Sequence, residues 1–170
     1  MKSTPLVLQV IAVLFSLYLV SGEEYRPRFH FTPKKNWMND PNGMFYDPKT
    51  ELYHLYFQYN PEGNEWGHMS WGHAVSKNRL DWEEEEVAIP EYNGIMIFSG
   101  SALRQPSEDG NGSEVYAFYT AMIERTGEQE QALAISKDGG VTFEEYKGNP
   151  LIDIDSKNFR DPKVYYFDQF

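Results

Sequence analysis

The chain reads as an all-β, antiparallel protein built from a repeated four-strand unit. Three observations support this. Aromatic residues make up 16% of the sequence, a share typical of β structure and of sugar-binding surfaces. After residue 22 no segment sustains a 3.6-residue apolar period. Short apolar or alternating runs recur instead, separated by turn clusters such as Asn60-Pro61-Glu62-Gly63, Asn93-Gly94 and Asp138-Gly139-Gly140. The runs are Met44–Tyr46, Leu52–Tyr59, Trp71–Val75, Val87–Ile89, Ile95–Phe98, Val115–Tyr119, Ala132–Ile135 and Val164–Phe167.

Met1–Gly22 reads as a secretory signal. It has Lys2 at its start, an apolar run from Leu6 to Val20 and small residues at Ser21-Gly22. The run is shorter than the ~20 apolar residues of a membrane span, and Glu23-Glu24 follow it. The expected mature chain, residues 23–170, is therefore secreted. Net charge is −11, becoming −12 once Lys2 leaves with the signal. This argues against nucleic acid and anionic membranes as partners and fits a neutral ligand. The chain has no cysteine, which excludes a disulfide framework and thiolate chemistry. Asn111-Gly112-Ser113 forms an N-glycosylation triplet.

The repeat has a period near sixty residues. Ala74-Val75-Ser76-Lys77-Asn78, ending in Trp82, resembles Ala134-Ile135-Ser136-Lys137-Asp138, ending in Phe143. Four strands per unit suggest a β-propeller blade or a similar radial element; the alternative is two unrelated hairpins that share Ser-Lys turns. In a radial array, equivalent inner-strand positions converge on one axis. Asn39-Asp40, Phe98-Ser99 and Arg160-Asp161 would then meet in one pocket.

Asp40 lies in Trp37-Met38-Asn39-Asp40-Pro41-Asn42-Gly43, where Pro fixes φ and Gly permits positive φ. This predicts a tight turn holding a rigid carboxylate, either an Asx-capped turn or a catalytic group. Arg160-Asp161-Pro162 supplies a second stiffened carboxylate, with a surface ion pair as its alternative. Two rigid carboxylates in one pocket are the usual apparatus for breaking a glycosidic bond. Gln58 and Trp66 sit at or before loops and are ligand candidates; Trp71 and His73 are expected to pack. The histidines at 30, 54, 68 and 73 lack a strong metal-ligand spacing. No phosphate-binding loop or other cofactor motif is present, so no metal or cofactor is expected. Glu83–Glu86 reads as a solvated face or a charged edge strand.

These motifs, in this order, resemble glycoside hydrolase family 32, the invertases, levanases and inulinases. The first motif matches over Trp37–Gly43. Arg28–Phe31, Gln58, Trp66-Gly67, Trp71–Ser76, Phe98–Ser101 and Arg160–Pro162 match further motifs, so the resemblance spans residues 26–168. It implies a five-bladed β-propeller, usually followed by a β-sandwich, and a retaining mechanism on β-fructofuranosides such as sucrose. It implies Asp40 as nucleophile and Asp161 as transition-state stabiliser, with Arg160 positioning Asp161. It implies a fructose subsite lined by Asn39, Gln58, Trp66, Phe98, Ser99 and Arg160 and shaped by Trp37 and Met38. The family's acid/base is a Glu followed by Cys, and no Glu here stands in that context. The residues after the signal hold about two and a half repeats, whereas closed propellers usually need at least four blades. The chain therefore reads as the front part of a larger protein.

Overall fold

The computed structural model describes residue 27 and residues 29–106 and 113–165. The expected signal segment and Asn111 lie outside those residues. The chain divides into residues 1–32 and 33–170, and every strand among the described residues belongs to the second unit.

That unit contains two four-stranded antiparallel sheets. The first runs β1 (Met38–Asp47), β2 (Leu52–Tyr59), β3 (Ser70–Ser76), β4 (Glu83–Glu84), and the strands neighbour one another in that order. The second repeats it with β5 (Ile95–Pro106), β6 (Ser113–Ile123), β7 (Gln129–Ser136) and β8 (Glu144–Glu145). The register repeats too. Tyr53 pairs with Ser76 as Val115 pairs with Ser136, and Val75 with Glu83 as Ile135 with Glu144.

The shared Ser-Lys turns have one physical basis. Ser76 Oγ accepts the Asn78 and Arg79 amides, and Asn78 Oδ1 accepts those of Leu80 and Asp81. Ser136 Oγ likewise accepts the Asp138 and Gly140 amides, and Asp138 Oδ1 those of Val141 and Thr142. Side-chain oxygens thus satisfy turn amides that no ladder reaches. Burial alone would raise the Asp138 carboxyl, but hydrogen bonds from the Thr142 hydroxyl and amide, the Ser136 hydroxyl and the Val141 amide together hold the group down at about 2.

Three expectations change. The Pro41-x-Gly43 segment is bulged strand rather than a tight turn: β1 shifts register between Met38 and Pro41 and again between Pro41 and Met44. A proline is tolerated there because β1 is the edge of its sheet. Val87–Ile89 makes only a bridge from Ile89 to Trp71, since Pro90 follows and cannot donate to a ladder. Of the expected Val164–Phe167 run, residues 166 and 167 lie outside the described residues, and Val164 gives its amide to Ser101 Oγ rather than to a strand partner. The Glu83–Glu86 run does supply the edge strand β4, through Glu83 and Glu84.

The core lies between the sheets. Tyr56, Trp71 and Ile89 of the first sheet and its flank face Ile97, Ala117, Tyr119, Ala121, Ala132 and Ala134 of the second. Large rings against a run of alanines fill the gap without overpacking. Directional bonds fix the alignment. Tyr56 Oη donates to Gly140 O at 2.6 Å, Trp71 Nε1 to Phe98 O at 3.0 Å and Gln58 Nε2 to Ile97 O at 2.9 Å. Arg104 of β5 pairs with the buried Asp47 of β1 at 3.1 Å. Burial would raise the Asp47 carboxyl, but the Lys49 amide, the Thr50 hydroxyl and Arg104 hold it below its ordinary value. Where β1 meets β5, a Cβ on Gly43 would stand 2.5 Å from the Ala102 Cβ.

A histidine pair sits beside this core. His54 Nδ1 and His73 Nε2 are 3.0 Å apart. Phe45 stacks on His54 at 4.7 Å and Tyr56 on His73 at 4.8 Å. His54 Nε2 and His73 Nδ1 are buried without a hydrogen-bond partner. Burial lowers both imidazoles, His73 to about 3, with the neighbouring His54 adding to the effect.

Two outcomes follow from this packing. Gly43→Ala is expected to lower stability by about 1–3 kcal/mol, the usual cost of overpacking, in urea unfolding. Unfolding frees the two histidines to bind protons, so stability falls as pH drops below the ordinary imidazole value of 6.5, and for His73 the loss runs down to about 3. For His73 the slope reaches about 1.4 kcal/mol per pH unit, and His54 adds in the same direction. Denaturant titrations between pH 6.5 and 4.5 should show it, and His54→Phe/His73→Phe should flatten it. The Asp138 contribution is lost in a lower window, from 3.8 toward about 2.

Candidate active site

The open end of the interface between the sheets forms a cavity of about 180 Å³, lined by Asn39, Asp40, Gln58, Trp66, Met69, Phe98, Ser99, Arg160 and Asp161. It is smaller than the ~300–1,000 Å³ of drug-sized sites and suits a single small ring.

β1 carries Asn39 and Asp40, with both side chains exposed to the cavity. Ser99 of β5 donates its hydroxyl to Asp40 Oδ2 at 2.8 Å, so the two sheets meet on this carboxylate. Ser99 stands at a bulge between Phe98 and Gly100. A Cβ on Gly100 would lie 1.9 Å from Phe118 O, so only glycine permits β6 to approach β5 there. The bulge redirects Ser99 toward Asp40, which a regular ladder would not do.

Beneath Asp40 lies a buried amide network. With its carboxamide oxygen turned inward, Asn42 shares the single Trp71 Nε1 hydrogen with Phe98 O, at 2.9 Å, and accepts Gln58 Nε2 at 3.1 Å. The same Gln58 nitrogen donates to Ile97 O. Gln58 is 3% exposed, and its carboxamide nitrogen is committed to the scaffold, so its remaining ligand group is Oε1. Trp66 is 57% exposed at the mouth and meets Phe98 edge-on at 5.9 Å. An aromatic face left open beside hydrogen-bonding groups is the arrangement that holds sugar C–H surfaces.

Arg160 and Asp161 reach the same cavity from a segment without regular structure. Asp161 has φ +64°, in the left-handed region. Arg160 Nε stands 4.0 Å from Asp161 Oδ2, whereas its Nη1 contacts Gln129 Oε1 at 3.2 Å and Asn158 Oδ1 at 3.4 Å. The guanidinium is thus anchored more closely to Gln129 than to Asp161.

Eight of the ten residues singled out from the sequence share this cavity. Trp37 and Met38 do not line it. Trp37 packs behind it, against Met69, Met96 and Met122, and its amide and carbonyl bond Gly63 O and Asn60 N, each at 3.0 Å. Trp71 and His73 pack in β3, buried. Met69 and Asn42 went unmarked in the sequence. Met69 looks like an ordinary strand-flanking apolar residue, and the role of Asn42 depends on Gln58 and Trp71, which only folding brings to it.

Glu62, His68 and Glu91 place three potential metal-ligand atoms within 4.8 Å of one another. His68 Nδ1 already bonds Glu91 Oε1 at 2.7 Å. That hydrogen bond, then the charges of Glu91 and Glu62, raise the imidazole above its ordinary value. The cluster is an exposed ion pair on this reading.

Known proteins place this geometry in a family. The profile of the Glycosyl hydrolases family 32 N-terminal domain matches residues 30–169. The invertase of Schwanniomyces occidentalis is 46% identical over 162 residues, covering 89% of this chain and 30% of that protein. The levanase of Bacillus subtilis is 47% identical over 154 residues, covering 86% of this chain and 22% of the levanase. The solved fructofuranosidase of Schwanniomyces occidentalis, complexed with fructose, superimposes with a TM-score of 0.78 at 44% identity. That match covers 88% of this chain and 31% of the solved one. The chain thus spans less than a third of the length of these relatives. With the family profile matched over nearly all of the two-sheet unit, the chain belongs to glycosyl hydrolase family 32.

Proposed function

We propose that this chain forms the nucleophile side of a secreted β-fructofuranosidase. In this reading its two sheets are the first two blades of a five-bladed propeller, and residues 160–165 enter a third. The observation that carries the proposal is Asp40, Asp161 and Trp66 in one sugar-sized cavity. The cavity belongs to a family whose solved members include one complexed with fructose.

In the proposed reaction an oxygen of Asp40 attacks the anomeric carbon of the fructosyl unit. The glycosidic oxygen leaves with a proton from a general acid, and water then releases fructose from the covalent intermediate. The Ser99 hydroxyl fixes which Asp40 oxygen is free to attack. Asp161 holds fructose hydroxyls and faces the positive charge that develops on the ring. Asn39, Gln58 Oε1 and the Trp66 face orient the sugar. The lining contains two aspartates and no glutamate, so the proton donor is a residue that these motifs do not supply. General acid catalysis is worth roughly 10²–10⁴-fold. These residues by themselves are therefore expected to bind fructosides far better than they turn them over. Homology to a protein named an extracellular exo-inulinase supports secretion.

Two measurements test the reading. The full-length product should release fructose from sucrose, inulin or levan, and Asp40→Asn should cut that rate by about 10³-fold or more with little change in unfolding midpoint. No release from any of the three would refute the enzymatic assignment. Calorimetry of the present chain should give saturable binding of fructose that Trp66→Ala weakens by about 1–2 kcal/mol. Binding without turnover in the full-length product would favour a sugar-binding module instead.

A further inference from the structure

The segment that carries Asp161 is docked by polar side chains of the second sheet. Gln131 Nε2 donates to Phe159 O at 2.8 Å, and Gln129 Oε1 accepts from Arg160 at 3.2 Å. Thr120 Oγ1 accepts the Asp161 amide at 2.9 Å. Ser101 Oγ donates to Pro162 O at 2.9 Å and accepts the Val164 amide at 3.1 Å. All four side chains are buried, Thr120 at 0% and Ser101 at 1% exposure. None of them lines the cavity among the described residues.

Asp161 needs this support. A residue before proline prefers extended backbone, yet Asp161 sits at φ +64°, where side chains are disfavoured. Its own ion pair is loose, at 4.0 Å. A fully buried hydroxyl on β6, an interior strand of its sheet, accepts its amide at 2.9 Å.

We propose that Thr120 is a positioning residue for the reaction: its buried hydroxyl holds the Asp161 amide, and so places the Asp161 carboxylate in the cavity, with Ser101 fixing the chain just beyond. This rests on the reading of Asp161 as the group that faces the positively charged fructosyl ring. Sequence inspection passes over Thr120, an unremarkable threonine in a strand 41 residues upstream of its partner.

The test reads tryptophan fluorescence, with Trp66 at the mouth as reporter. Wild type, Thr120→Val, Thr120→Ser and Asp161→Asn are titrated with fructose and with a protonated pyrrolidine iminosugar of fructofuranose shape. The wild type should prefer the cationic probe. Thr120→Val, equal in shape but without the acceptor, should lower that preference about tenfold, toward the Asp161→Asn value, and Thr120→Ser should retain it. If Asp161→Asn loses the preference and Thr120→Val keeps it, the positioning role is overturned and the proposed function stands. If Asp161→Asn keeps the preference, the reading of Asp161 fails and the positioning role fails with it. Hydrogen exchange of the wild-type Asp161 amide gives a readout that needs no variant to fold. Protection supports the role, and exchange at the rate of an open-loop amide overturns it.

Discussion

The close approach of β1 to β5 is the constraint on which the rest of this structure depends. It exists because Gly43 has no side chain to place against Ala102. With the inner strands in contact, Ser99 reaches Asp40 and the Tyr56–Trp71 rings seat on the alanines of β6 and β7. If those strands were separated by one more carbon, the hydroxyl and the carboxylate would part.

The interface is apolar in bulk and polar at selected points. Arg104–Asp47, Tyr56–Gly140 and Trp71–Phe98 each tie one sheet to the other. Burial makes such bonds costly to leave unmade, so they specify one alignment of the sheets among the many that ring-on-alanine packing alone would tolerate. The histidine pair works in the opposite sense. Two of its ring nitrogens lack partners, so the interior accepts it only while both rings are neutral. The same sheets therefore hold a site that presents two carboxyl groups and a core that resists charge.

The site shows a division of labour by depth. Exposed groups at the cavity, Asp40, Asp161 and Trp66, are free to meet a ligand. Beneath them Asn42, Gln58, Thr120 and Ser101 spend their hydrogen bonds on backbone and on one another. A carboxylate in a segment without regular structure becomes a placed carboxylate through such buried support.

The sequence by itself determined most of the strands, the sixty-residue repeat and the two aspartates. Period-2 patterning, turn residues and ordered motifs are local signals, written at the positions they describe. It also placed Phe98, Ser99 and Arg160 with them, because equivalent repeat positions converge, whereas Gln58 and Trp66 joined them only through the resemblance of their motifs to the family. Tertiary structure decided the rest. It turned the expected tight turn at Pro41–Gly43 into bulged strand, since β1 is an edge that must stay extended to meet β2 and β5. It moved Trp37 behind the cavity, where a methionine cluster waits for it. It also gave Asn42 and Thr120 their partners. A buried amide or hydroxyl looks alike in any strand, and its role is set by which backbone group, tens of residues away, the packing of the two sheets leaves within 3 Å of it.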